Sequence, residues 1–282
     1  MKITPYFFNI LTITLSFNCF SINFQKKDII SNRWVGESIR IAELDPGYKK
    51  QHHFNRVFSK FSSKRNIPYY KTRNKIYNIA GSFKNIDQNY IVIRDKKGRF
   101  FKINDHKNHR VLPSYIVLEK TILAAKKLIG KTIWLNDVVD EKNFLTNFAK
   151  TFYPFQSVKV IDVIIFQNSD KGHPIWLKVL AESGENALVR YNLQGLKVGI
   201  KDHYFIDDPL PKEWGSEIHQ EIKNRRAKIG MSSKQVRIAV GYPDEINNTS
   251  SLHGIGEQWM YKSLDKKIYF QFEYDKLVYI NN

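Results

Sequence analysis

Gly230-Met231-Ser232-Ser233-Lys234-Gln235-Val236, then Gly241-Tyr242-Pro243-Asp244-Glu245, then Glu257-Gln258-Trp259-Met260-Tyr261 decide the fold of the last quarter of this chain. Ser232, with Gln235 three residues on, has the spacing of a capping box. The serine oxygen accepts from the glutamine amide, and the glutamine side chain accepts from the serine amide. Val236, Ala239 and Val240 give the short helix that follows a buried face. Gly241 supplies the residue just past its end, and Pro243 blocks extension. Glu257 to Tyr261, Lys267 to Phe272 and Lys276 to Ile280 then read as strands, with alternation clearest at Ile268, Phe270 and Phe272.

Working upstream, Glu213 to Lys228 predicts an amphipathic helix with Trp214, Ile218 and Ile222 on its apolar side. Its acids come early and its cations late, which complements the helix dipole. The charge run therefore reads as helix stabilisation rather than a nucleic-acid patch. Gly230 is placed to end this helix. Residues 212–282 thus predict two helices on a three-stranded antiparallel sheet, with a fourth strand left open. Asp207-Asp208-Pro209-Leu210-Pro211 is a stiff boundary before it, because neither proline can join a central ladder.

The order Gly-Met-Ser-x-x-Gln-Val, Gly-x-Pro, Glu-Gln-Trp-x-Tyr and a final aromatic hairpin resembles the SmpA/OmlA family of outer-membrane lipoproteins, similar in shape to the β-lactamase-inhibitor fold. The residues that carry the resemblance are Gly230, Met231, Ser232, Gln235, Val236, Gly241, Pro243, Trp259 and Tyr261. It spans roughly Trp214 to Ile280. It implies a periplasmic, lipid-anchored, non-catalytic subunit that docks on envelope proteins and contacts anionic phospholipid. The chain departs from the family in carrying a large β-rich insert between its cysteine and the module.

That cysteine, Cys19, is the only one in 282 residues. It excludes internal disulfides and cysteine-rich zinc sites. Lys2 followed by the apolar run Tyr6 to Phe17 predicts an export signal over residues 1–19, too short for a comfortable membrane span. Two readings of its end stay open: lipidation of Cys19, or ordinary cleavage after Ser21. They place the mature protein at the periplasmic face of the outer membrane or at the cell surface.

The net charge of +18 favours anionic partners: nucleic acid, lipid headgroups or acidic cell-wall polymer. From Lys212 onward, eleven Lys and Arg face nine Asp and Glu, so nearly all of the excess lies upstream. The stretch from Gly47 to Lys75 holds nine Lys and Arg and no acid. Residues 20–75 show no sustained periodicity; short apolar pieces such as Ile39-Arg40-Ile41-Ala42 are candidates for pairing, and the rest reads as a basic, aromatic-dotted tether, with Trp34 isolated in it.

Residues 76–210 read as β-rich. Tyr90 to Arg94 and Arg99 to Ile103 flank Asp95-Lys96-Lys97-Gly98, a hairpin signal. Leu118 to Ile129 reads as a short helix stopped by Gly130. Lys131 to Leu135, Val158 to Phe166, Ile175 to Val179 and Ala187 to Tyr191 are further strands. Short strands with glycine turns predict one or two small SH3-like barrels. The fold class expected is α+β.

No catalytic constellation stands out, and no cofactor or metal is expected. There is no Gly-x-Ser-x-Gly, P-loop or His-Glu-x-x-His. His52-His53 and His106 with His109 lack metal-site spacing. Asp202-His203 with Asp207 and Asp208 reads as a solvated hinge, with a hydrolase using His203 as the third choice. Asn247-Asn248-Thr249 matches a glycosylation acceptor of no consequence in a bacterium. The expected function is a non-enzymatic envelope binding protein, possible partners being envelope proteins; the alternative is a secreted or surface binder of anionic lipid or cell-wall polymer through the basic N-terminal part.

Overall fold

The computed structural model describes residues 28–44, 57–63, 65–85, 88–105, 112–139, 144–146, 152–167, 174–192, 202–251, 254–262 and 266–281. Cys19, His52, His53, His106 and His109 lie outside them. The described chain is strand-rich α+β, with three sheets and short helices. Among the described residues no helix is long and apolar enough to cross a membrane.

The first sheet takes β1 (Ser38–Ile41), β3 (Phe58–Lys60), β4 (Asn66–Ile67), β5 (Ile76–Asn85), β6 (Gln88–Arg94), β7 (Phe100–Asn104) and β8 (Ile116–Leu118). Their order across it is β4-β3-β7-β6-β5-β1-β8, antiparallel throughout. The hairpin at Asp95–Gly98 forms as expected between β6 and β7.

Ile39 to Ile41 pair as their apolar pattern allows, in β1, but the tether reading of the rest needs correcting. Where residues 20–75 are described, they supply three strands of this sheet and part of its core. Ile39, Ile41 and Phe58 are fully buried, and the buried Tyr69 donates its hydroxyl to the Ala42 carbonyl at 2.6 Å. These strands are only two to four residues long and find partners far downstream, so no local period marks them. Trp34 is not isolated either. It packs against the same core, with the Arg33 guanidinium 4.6 Å from its ring centre.

The second sheet contains β9 (Thr132–Leu135), β10 (Phe144–Thr146), β11 (Ser157–Gln167), β12 (Ile175–Leu180), β13 (Asn186–Arg190) and β14 (Tyr204–Phe205). They run in the order β10-β13-β12-β11-β9-β14. The two-residue β2 (Glu43–Leu44) leaves β1 and pairs in parallel with β11, so one N-terminal segment serves both sheets. Between the sheets lies helix α1 (Glu119–Lys126), which buries Ile122 and Ala125 in the second core. Arg40 of β1 grips Glu119 through two hydrogen bonds, at 3.1 and 2.5 Å.

The C-terminal module follows a 3-10 turn at Lys212–Trp214. It comprises α2 (Gly215–Lys223), α3 (Ser233–Val240), β15 (Glu245–Ser251), β16 (Gly254–Lys262), β17 (Lys267–Glu273) and β18 (Lys276–Asn281). The sheet is a four-stranded antiparallel meander, one strand more than the three read from pattern. The Asn247-Asn248-Thr249 stretch is part of β15.

The capping box is present. The Gln235 amide donates to Ser232 Oγ at 3.3 Å, and the Ser232 amide donates to Gln235 Oε1 at 2.7 Å. Gly241, at φ 99°, turns the chain out of α3 in a conformation that suits a residue without Cβ. Pro243 is buried just beyond. Tyr261 donates its hydroxyl to the Gly241 carbonyl at 3.0 Å, pinning the helix end to β16. Met231 and Val236 are fully buried with Trp259, Phe270 and Phe272, and the Trp259 and Phe272 rings lie 4.5 Å apart. Replacing Ser232 with alanine is expected to cost about 1 kcal/mol in urea unfolding, the usual worth of such a cap. An unchanged midpoint would show that tertiary packing alone holds this helix start.

The first helix of the module is shorter than its apolar pattern. It stops at Lys223, and Gly230 does not end it. Arg225, at φ 59°, takes the left-handed position. Its amide donates to the Ile222 carbonyl and the Arg226 amide donates to that of Glu221, each at 3.0 Å. That pair of bonds is a Schellman ending with arginine where glycine is usual. Gly230 instead donates its amide to the Leu277 carbonyl at 2.8 Å, tying the helix connection to β18.

The Arg225 side chain explains its presence. It donates to the Ile238 carbonyl at 3.2 Å and to the Asn136 carbonyl at 3.1 Å, and lies 4.6 Å from the centre of the Phe155 ring. Asn136 and Phe155 belong to the second-sheet region, so Arg225 bridges it to the module. Phe155 and Phe205 also pack on the module's core. The segment 207–211 is therefore held between packed units: Pro209 is buried and Leu210 joins the module's core.

Candidate functional site

A groove of about 850 Å³ lies on the first sheet. Three local structures build it, and each has a reason in the sequence.

The first is the β6–β7 turn. Gly98, at φ 76°, allows the reversal. Asp95 then organises the loop, its Oδ1 accepting from the Lys97 and Arg99 amides, both at 2.9 Å. Its Oδ2 accepts from Arg99 Nε at 2.8 Å. Partial burial works against ionisation of this carboxyl, but the amide bonds and the Arg99 guanidinium outweigh it and hold its pKa below the ordinary value. The one acid in the turn is thus committed internally, and Lys96 and Lys97 project as exposed cations.

The second is the β3–β4 hairpin, where Lys60 and Arg65 stand exposed on either side of the turn. The third is the 3-10 turn at Tyr69–Lys71 with the residues up to Lys75. Pro68 sets its entry, and Asn74 takes the left-handed conformation, its amide donating to the Ile41 carbonyl at 2.8 Å. Lys71 and Lys75 are exposed there. Arg73 is turned to Glu43, which it meets at 2.5 Å, so it does not line the groove.

Ile67, Pro68, Ile76, Tyr77 and Phe101 supply the apolar part of the lining. Tyr77 and Phe101 meet edge to face at 5.9 Å. Burial, reinforced by the Asp95 charge, pushes the Tyr77 phenol up to about 12, so it stays a neutral hydrogen-bonding group. The rim holds seven cations, Lys60, Arg65, Lys71, Lys75, Lys96, Lys97 and Arg99, against Asp95 alone. At such density the cations reinforce one another's field along the groove, so its chemistry is attraction and hydrogen-bond donation to anions over an amphipathic floor.

A second cavity, about 330 Å³, lies between residues 202–209 and α3. It gathers the acids read from sequence: Asp207 and Asp208 are exposed, in keeping with the solvated-hinge reading, whereas Asp202 is partly buried and His203 departs from that reading. His203 is 2% exposed. Asp202 accepts from the Tyr242 hydroxyl at 3.1 Å, and burial raises its pKa against the lowering effects of that bond and of Arg237. Arg237 lies 5.2 Å from the Tyr242 ring centre. The acids on one wall face Lys234 and Arg237 on the other, which fits a complementary seam between the second sheet and the module.

The nine motif residues come together around α3 and its contact with the third sheet, where their contacts are structural. Sequence reading saw the charge excess but missed the groove. The cationic stretch around Lys60 to Lys75 was visible; Lys96 and Lys97 reach it only through the pairing of β3 with β7. Among the described residues no group of three or more His, Cys, Asp or Glu could hold a metal ion. No family model, no curated protein and no solved structure matches this chain.

Proposed function

We propose that the chain is a non-enzymatic binding protein of a bacterial cell envelope, and that its ligand is an extended anionic polymer seated in the groove of the first sheet. The observation that carries this is the groove's rim, where seven cations surround one internally committed acid. Loops from the β6–β7 turn, the β3–β4 hairpin and the Tyr69–Lys75 segment converge there. Binding through loops is how small SH3-like barrels work, and the SH3-like reading of the two upstream sheets belongs to this proposal. Export, and anchoring through Cys19, are supported by Lys2 and the apolar run that follows it.

The test is anisotropy of a labelled anionic cell-wall polymer titrated with the protein as salt is raised. Affinity should fall steeply, because each polymer charge seated in the groove displaces counterions or is screened by them. Absence of binding at low salt, or an affinity indifferent to salt, would overturn the proposal.

A second reading, an accessory of outer-membrane assembly that docks envelope proteins, is favoured by the C-terminal module. Its order of capping box, helix stop and aromatic hairpin is the one that resembles SmpA/OmlA, and it leaves Tyr274, Val278 and Tyr279 exposed. A photocrosslinker at Tyr279 should then trap an envelope protein; recovery of uncrosslinked chain alone would remove this reading.

A further inference from the structure

Helix α1 buries one face and leaves another that the fold does not use. Ile122, Ala125 and, just beyond the helix, Leu128 point into the second core. Leu123 is 55% exposed and Ile129 43%. Lys120, Lys126, Lys127 and Lys131 are exposed around them. Lys120, Leu123 and Lys127 follow the three-and-four spacing of one helix face, with Lys126 beside Leu123. The acids nearby on the chain are engaged: Glu119 with Arg40, and Glu37 with Lys120. Among the described residues, Lys126, Lys127 and Lys131 have no ion pair.

We infer that this face, from Lys120 to Lys131, is a docking surface for an anionic lipid bilayer. Two aliphatic tips can enter the headgroup boundary while lysine stems lie along it and their ammonium groups reach the phosphates. Charge complementarity selects the partner. A ring of lysines matches a surface of anionic headgroups, whereas the buried centre of a protein interface is poor in lysine and rich in aromatic residues and arginine. The inference does not depend on the groove or on its ligand.

The experiment is hydrogen–deuterium exchange of the full chain with vesicles of phosphatidylglycerol, and in parallel of phosphatidylcholine. Amides over residues 120–131 should gain protection with the anionic vesicles only. The double variant L123S/I129S should need more lipid for the same protection, by roughly tenfold or more, since insertion of one such side chain is worth about that factor. Both positions are exposed, so its urea midpoint should match that of the unsubstituted chain and a folding failure can be told apart. Substituting Lys71, Lys75 and Lys97 by glutamate should leave the protection in place while strongly weakening polymer binding. Equal protection by neutral vesicles, protection confined to the groove loops, or an L123S/I129S titration like that of the unsubstituted chain would each overturn the inference.

Discussion

Glutamate at Lys71, Lys75 and Lys97 together is expected to weaken polyanion binding by about a thousandfold at low salt. A lysine close to an anionic surface contributes on the order of 1 kcal/mol, and reversing it replaces that attraction by a comparable repulsion. Three reversals at the rim approach 6 kcal/mol before screening, and screening leaves roughly two-thirds of that. The three side chains are exposed, so the fold should not change. The informative control reverses Lys266, Lys267 and Lys276, exposed lysines of the C-terminal module, for the same change in net charge. An equal loss in the control would mean that the total charge, and not the groove, attracts the polymer.

The second large effect is expected at Arg225. Alanine there removes two charge-assisted hydrogen bonds to the Asn136 and Ile238 carbonyls and the contact over Phe155. At a half-buried site these sum to about 2–3 kcal/mol. Alanine also inherits the left-handed backbone, which costs roughly 1 kcal/mol that glycine would not incur. Urea unfolding should therefore rank the native chain above Arg225→Gly, and Arg225→Gly above Arg225→Ala. The bridge joins the second-sheet region to the module, so both variants should also broaden the transition as the module begins to unfold separately. Equal stability of the two variants would refute the backbone half of the account, and native stability in both would refute the bridge.

These residues mark where local sequence stops being informative. The α3 start, its stop and the β6–β7 hairpin were legible because capping and turn chemistry act over four residues. Arg225 falls among the late cations of Glu213 to Lys228 that read as complementing a helix dipole. Its left-handed backbone had no glycine to announce it, and Gly230, five residues on, drew the assignment. Strand β15 was missed for a related reason. Glu-Ile-Asn-Asn-Thr-Ser-Ser has no apolar alternation, and it holds its place as a polar edge strand through backbone pairing with β16. The N-terminal strands have apolar residues but too few in a row, and their register is dictated by β5, β7 and β8. The groove joins both problems: its charges are written in the sequence, but their meeting depends on long-range pairing.

The segment from Ser38 to Leu44 has a bearing on how the protein comes into being. It contributes β1 to one sheet and β2 to the other, and Ala42 sits in the core of the second. Neither sheet is complete until this early stretch has met β8 on one side and β11 on the other. Such closures rank among the slow events of folding, because a long loop must be ordered before any contact rewards it. A chain made from its N-terminus onward therefore pairs β1 once β5 and β8 are present, but holds β2 unpaired until Phe166 and Gln167 have been made. The half-made molecule is a good client for a holding chaperone, and a chain truncated before β11 should leave β2 unpaired and the second sheet unformed.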